Sequence, residues 1–385
     1  MARQEQYIGR YSKDGTKPRA SILGTTLYVG LVLVSVALVV ALIIAYVSPH
    51  TSPSTLGSLT IVGIFAPMIY IGVVLCMLLW VVLRRWIFAC VMLAALLPGI
   101  SDIPKFYKIS FTREVEQNIS NKSFKLMSYN VRGLRDDNND KYLDKLVEWL
   151  DAEGVPDILC LQELPSKTEG IEMLDTLYSH KFKTYYSYDT VESGDVVLRT
   201  YSRYPILKDG YGEISGEGRG TSQWIDVVVS RNNINSDTIR IFNNHLYTMS
   251  ISNEDSIHIE SGTIFNDSNR IRSIVNRIAD NSSIRSQHVD TLCSIIGSTP
   301  YRHIVCGDFN DTPMSYTYNT LCDKLNDAFV TKGRGYGYTF RPMHSMLRID
   351  YILYSKGINI QSYKAYEDMT YSDHLPIATH ILIKQ

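Results

Sequence analysis

From Ile22 to Leu83 the chain runs for 62 consecutive residues without an Asp, Glu, Lys or Arg, and after the pair Arg84-Arg85 the pattern resumes from Trp86 to Ser101. A water-facing surface of that length cannot be built without charge, so the N-terminal quarter is not part of an ordinary soluble domain. About 20 apolar residues cross a bilayer as a helix. Ile22–Val47 supplies 26 and Gly57–Leu83 supplies 27, and both are expected to span. The first is longer than the apolar core of a cleaved signal peptide and a second follows at once, so a retained anchor is expected. Trp86–Ile100 has 15 residues, about 22 Å as a helix against a hydrocarbon core of about 30 Å, so it either spans by thinning the bilayer or lies in the interface.

Basic residues favour the cytoplasmic side. The tail, residues 1–21, holds Arg3, Arg10, Lys13, Lys17 and Arg19 against Glu5 and Asp14; Ser48–Leu56 holds no charge, and Arg84 and Arg85 sit between the second and third runs. The expected layout is a basic cytoplasmic tail (1–21), a membrane region (22–101) with helices at about 22–47, 57–83 and 86–101, a connector (102–121) and a folded domain (122–385). Three crossings place that domain outside the cytoplasm and two keep it inside; three are expected. From Asp102 onward there are 31 basic and 37 acidic residues, which argues against a broad polycationic nucleic-acid surface.

The region after Lys122 reads as one α/β domain without repeats. Phe124–Val131 alternates like a strand, Lys141–Glu153 places Leu143, Leu146, Val147 and Leu150 on one helical face, and Asp157–Leu161 is a buried strand. Further strands are expected at 196–201, 224–229, 239–247, 303–307, 348–354 and 377–383, and helices at 269–279, 285–296 and 316–325. Many strands with irregularly placed helices predict two packed sheets with helices outside. Cys160 and Cys306 interrupt strands and read as buried thiols, and no C-x-x-C pair suggests a zinc site or disulfide framework.

Six apolar runs end in polar or titratable residues: Asn130, Glu163, His245, Asp308 with Asn310, Asp350, and Asp373 with His374. Adjacent strands gather such ends at one sheet edge. Asp, Glu and Asn oxygens suit Mg²⁺ or Mn²⁺, hard cations with oxygen ligands. Two histidines outside that set can act as acid, base or phosphate donor near neutral pH. Together these are the parts of metal-assisted phosphoester hydrolysis. No Gly-x-Ser-x-Gly elbow and no phosphate-cradling P-loop occurs. Arg132 is a candidate phosphate contact, and the loop Gly333–Phe340 (GRGYGYTF) reads as a flexible cover for substrate or an ordinary surface loop.

The ordered series SYNVRGL, LCLQE, YSRYPI, NNHL, CGDFND, RIDYIL and SDHLPI resembles the endonuclease/exonuclease/phosphatase superfamily over about 122–385, and the N-terminal helices look like those of membrane-anchored bacterial members. The resemblance implies a four-layer α/β sandwich with two mixed β-sheets behind N-terminal transmembrane helices. It implies that Asn130, Glu163 and Asp373 bind metal. Asp308 then orients or deprotonates the attacking water, Asn310 holds a phosphate oxygen, and His374, oriented by Asp350, binds the scissile phosphate. His245 matches the second histidine of the deoxyribonuclease, sphingomyelinase and 5-phosphatase branches; the abasic-site branch lacks it. The expectation is a membrane-anchored, Mg²⁺- or Mn²⁺-dependent phosphodiesterase or phosphatase acting on a small or lipid-linked phosphoester. An extracytoplasmic nuclease and an inactive binding module are the alternatives. The expected partners are the bilayer and the substrate, nucleic acid among the candidates, with no obligate protein partner evident.

Overall fold

The computed structural model describes residues 22–109, 123–166, 169–193, 196–213, 220–230, 236–249, 251 and 253–383; the expected basic tail and most of the connector lie outside them. The chain divides into two compact units, one ending at Ile43 and resuming over Met68–Leu97, the other made of Ile44–Pro67 with Pro98 onward.

The first unit holds most of α1 (Ile22–Val47). The chain then makes two short helices, α2 (Pro53–Leu56) and α3 (Leu59–Ile64), before the hairpin α4 (Ala66–Val82) and α5 (Trp86–Leu96). The expected 27-residue second span is therefore broken: Gly57–Ile64 folds separately, and α4 keeps 17 residues. The marginal third run grows instead, because α5 continues through a 3₁₀ turn at Pro98-Gly99 and α6 (Ile103–Phe106). This gives 21 continuous helical residues, Trp86–Phe106, about 31 Å. That stretch and Ile22–His50 are long and apolar enough to cross a membrane. Within the unit Trp80 is fully buried, stacked on Phe88 at 4.4 Å and donating from Nε1 to Ser35 Oγ at 2.8 Å.

The second unit contains two six-stranded sheets. β1 (Tyr107–Lys108) stands apart. The remaining strands are β2 (Phe124–Asn130), β3 (Ile158–Pro165), β4 (Tyr186–Ser193), β5 (Val196–Ser202), β6 (Ile206–Glu213), β7 (Thr221–Ser230), β8 (Ser236–His245), β9 (Arg302–Asp308), β10 (Asn326–Asp327), β11 (Gly335–Tyr336), β12 (Asp350–Tyr354), β13 (Ile358–Ala365) and β14 (Ile377–Ile383). One sheet has the order β13-β14-β2-β3-β5-β4 and the other β10-β12-β9-β8-β7-β6. Each is antiparallel except for one central parallel pair, β2/β3 and β8/β9, so both sheets are mixed. The crossovers are α7 (Leu143–Glu153) and α10 (Ser268–Gly297); α8 (Glu169–Lys181), α9 (Asn253–Glu260) and α11 (Tyr316–Cys322) complete the longer helices among the described residues.

Alternation along the strands divides side chains between two faces. Leu126, Ile158, Ile241, Ile304, Ile352 and Ile377 fill the space between the sheets. Met127, Leu159 and Leu161 turn outward under Leu146, Leu150, Leu174 and Tyr178 of α7 and α8. On the other side Phe242, Val305 and Tyr351 meet Val289, Leu292 and Tyr318 of α10 and α11. The result is a four-layer sandwich, helices–sheet–sheet–helices, as expected.

The inter-span segment belongs to this second unit. Ile61, Ile64 and Phe65 join one apolar cluster with Ile274 and Ile278 of α10. The approach is close: a Cβ on Gly63 would stand 2.3 Å from the Met314 carbonyl oxygen, and one on Gly57 would stand 2.8 Å from that of Ala279.

Candidate active site

Both parallel pairs end at the same edge. Asn130 closes β2 beside Gln162 of β3, His245 closes β8 beside Asp308 of β9, and Asp350 opens β12 opposite Asp308. One step beyond the ladder, the register slips between Leu161 and Leu164, and Glu163 takes φ 54°. A bulge re-aims a side chain that regular pleating would point elsewhere, and here it turns Glu163 toward the edge. Asn310, at φ 50°, makes the corresponding sharp turn after β9.

Asp308 is the hub. Its Oδ2 accepts from Asn130 Nδ2 at 3.0 Å and Asn310 Nδ2 at 3.2 Å, and its Oδ1 accepts from the Asn310 backbone N–H at 2.8 Å. Asn130 Nδ2 also donates to Glu163 Oε1 at 2.9 Å. Two imidazoles face the same carboxylate: His245 Nε2 lies 3.6 Å from Asp308 Oδ2 and 3.5 Å from Glu163 Oε1, and His374 Nε2 lies 3.7 Å from Asp308 Oδ2. Each ring is held from behind by its own carboxylate. His374 Nδ1 pairs with Asp350 Oδ2 at 2.9 Å, and His245 Nδ1 with Glu192 Oε2 at 3.1 Å. Such a partner fixes ring orientation and tautomer and raises basicity.

Burial alone would strip the proton from both rings, but the carboxylates overcome it. Glu192, then Glu163 and Asp308, lift His245 to about 10; Asp350 and Asp308 lift His374 well above the usual histidine range. Burial raises Asp350 to about 6 against the pull of His374. The edge thus holds two imidazoles, both drawn toward the protonated form, among four carboxylates. It opens into a cleft of about 910 Å³.

The structure brings Asn130, Glu163, His245, Asp308, Asp350 and His374 together as one contiguous set. Asn310 is present, but its amide nitrogen is engaged with Asp308 and the Leu246 carbonyl oxygen. Asp373 lines the cleft with its carboxylate directed at Arg132 Nε, 3.5 Å away, and is not among the convergent ligand groups. Glu192 was not foreseen: it sits in a strand with no apolar alternation, 53 residues before its partner. Also unforeseen is Phe340, which packs edge-on against the His374 ring at 5.1 Å. The glycine-rich loop, read as either a flexible cover or an ordinary surface loop, is pinned, since β11 pairs with β1 and Tyr336 Oη donates to the Met346 carbonyl.

The donor set fits a divalent cation. Glu163, Glu192, Asp308 and Asp350 stand beside the two imidazoles, so carboxylates outnumber the rings at this edge. Glu163 and Asp308 are the residues that would hold the ion through oxygen; Asn130 reaches both with its amide nitrogen, while its Oδ1 accepts the Arg132 backbone N–H. When bound, it would neutralise phosphoryl oxygens and polarise the ester.

Residues 127–374 match the endonuclease/exonuclease/phosphatase family, and residues 28–106 match a domain of unknown function, DUF8431. No curated protein matches the chain. Among solved structures, an endonuclease/exonuclease/phosphatase from Bacteroides vulgatus is 16% identical with TM-score 0.48, over 68% of this chain and 99% of its own. A family protein from Leptotrichia buccalis is 17% identical with TM-score 0.49, over 67% and 99%. The human Nocturnin catalytic domain with bound sulfate is 18% identical with TM-score 0.48, over 68% and 94%. With well over half its length inside the family match, and with the motif residues gathered at one sheet edge, the chain belongs to the endonuclease/exonuclease/phosphatase family.

Proposed function

We propose that the protein is a membrane-anchored, Mg²⁺- or Mn²⁺-dependent phosphoester hydrolase whose substrate is a small or lipid-linked phosphoester. The observation that carries this reading is the pair of imidazole–carboxylate couples that face one buried carboxylate, Asp308. In the reaction Asp308 takes a proton from the attacking water. The new P–O bond forms as the ester P–O bond breaks, and an imidazolium proton goes to the leaving oxygen. The second imidazolium donates to a non-bridging oxygen, and Asp350 and Glu192 hold both rings in register.

Duplex DNA is disfavoured as substrate because most of the most basic stretch, Arg270, Arg272, Arg277 and Arg285, is already neutralised. Arg270 and Arg277 pair with Glu254 and Asp255, and Arg285 is buried against Asp311, so an exposed Arg272 is too little for a phosphate-binding stripe on α10.

The same reading puts the catalytic unit outside the cytoplasm after three crossings. Its support is that Ile44–Pro67 packs as part of the catalytic unit, so that segment and the site share one side of any bilayer. The intervening hairpin then leaves and returns, which makes the third run a crossing. The basic tail and Arg84-Arg85 fall together on the other side.

The test is hydrolysis of bis-p-nitrophenyl phosphate, phospholipid and plasmid DNA by the full chain with and without Mg²⁺. Metal-stimulated turnover of the diester or lipid, lost in Asp308→Ala, is expected. Efficient plasmid nicking with no turnover of the others overturns the substrate class. Cysteine labelling at Ser52 and Gln385 on one side and Arg85 on the other tests the topology.

A further inference from the structure

The cleft has two chemically different halves. One is the imidazole–carboxylate edge. The other is lined by Met249, Ile251, Phe340 and Ile349. Phe340 is the junction, with its ring edge-on to His374.

Met249, Phe340 and Ile349 belong to the same cluster as Ile61, Ile64 and Phe65, and Ala66, the next residue, begins α4. The apolar lining of the cleft is thus backed by the segment that leads directly into an apolar helix. The Gly337 N–H also donates to the Phe106 carbonyl at the end of the Trp86–Phe106 helix, and three residues later the same loop delivers Phe340. Ile251 and Phe340 are partly exposed over the buried Met249 and Ile349, so a head group alone leaves their apolar surface facing water at a cost. A hydrocarbon chain attached to the phosphoester removes that cost.

Resting on the function proposed above, we infer that Met249, Ile251, Phe340 and Ile349 form a subsite for the hydrocarbon chain of an amphiphilic phosphoester drawn from the bilayer, with the phosphate at His245 and His374. The shared chemistry is a phosphate joined to a long apolar chain, whether acyl or isoprenoid. Met249 and Ile251 set the preference for chain length, since neither touches the imidazole–carboxylate groups among the described contacts.

The experiment uses the full chain in nanodiscs with Mg²⁺ and bis-p-nitrophenyl phosphate as reporter substrate. Butyl, octyl, dodecyl and farnesyl phosphate compete below their micellar concentrations. Ki is expected to fall by at least about tenfold from butyl to dodecyl phosphate. That ratio collapses toward one in Ile251→Asn and Met249→Asn and survives in Met249→Leu. Because the readout is a ratio within each variant, a general loss of activity cancels. The comparison of dodecyl with farnesyl phosphate separates an acyl-like chain from an isoprenoid. A Ki independent of chain length, or a ratio unchanged in Ile251→Asn, overturns the inference. Absence of any metal-stimulated diester hydrolysis in the unsubstituted protein instead overturns the proposed function, so the two failures are distinguishable.

Discussion

The two units bury opposite things. In the catalytic unit apolar side chains are hidden and the charged edge is reached from a cleft. In the helical unit Ile22 is 88% exposed and Ile87 79%, while Ser35, Trp80 and Cys76 meet inside. Helices that turn so much apolar surface outward are held together by packing and these polar contacts, whereas water drives the sandwich to close around its aliphatic core. The segment Ile44–Pro67 bridges the contrast: it is flanked by membrane-type helices but packs by the rules of the soluble unit, with Gly57 and Gly63 allowing backbone contact.

That contrast predicts where substitutions bite. The largest effect belongs to the charged edge: Asp308→Ala and His374→Ala each lower kcat by at least about 10²-fold in folded protein, because they remove the base or an oriented proton donor. Steady-state kinetics on the reporter diester reads it, and unchanged turnover in either variant sinks the assignment. Glu192→Gln comes next, expected to cost about tenfold in kcat. It leaves the His245 ring in place but removes the charge behind it, and equal activity would show that Glu192 is only a packing residue.

Smaller again is the bridge. Gly63→Val forces a side chain against the Met314 carbonyl and is expected to destabilise the catalytic unit by about 1–3 kcal/mol, seen as a lower melting temperature. An unchanged melting point would mean that the inter-span segment is a mere tether, which would erase the comparison at its hinge. The smallest effect lies within the membrane unit. Ser35→Ala removes the acceptor of Trp80 Nε1 and should cost about 0.6 kcal/mol in a helix-dissociation assay in bilayers, with kcat unaffected.

Much of this architecture is legible without coordinates. Strands ending at Asn130, His245 and Asp308 are readable because the apolar run stops at a polar residue, whereas Asp350, read as the end of such a run, opens β12. The helix expected in two pieces, 269–279 and 285–296, shows where such reading fails. Asn281 and Ser282 look like a break, yet in the single helix α10 Asn281 Nδ2 donates to the Thr248 carbonyl and Ser282 Oγ accepts from Arg285 Nη2. Tertiary partners satisfy polar groups that propensity alone would send to a loop. Apolar content likewise could not divide Gly57–Leu83, since Ile61 and Ile64 are as lipophilic as Ile71; only packing on α10 separates them.

The sequence by itself determined that the chain combines a long uncharged apolar N-terminal region with a two-sheet α/β domain, because charge distribution and strand periodicity are local properties of the chain. Only the tertiary structure decided which carboxylate stands behind each imidazole, that Asp373 faces Arg132 rather than the convergent oxygens, and that the inter-span segment is a wall of the catalytic unit. Those outcomes depend on residues tens to hundreds of positions apart meeting at distances near 3 Å. Sheet register and close backbone packing set such distances, and neither is written in any single stretch of sequence.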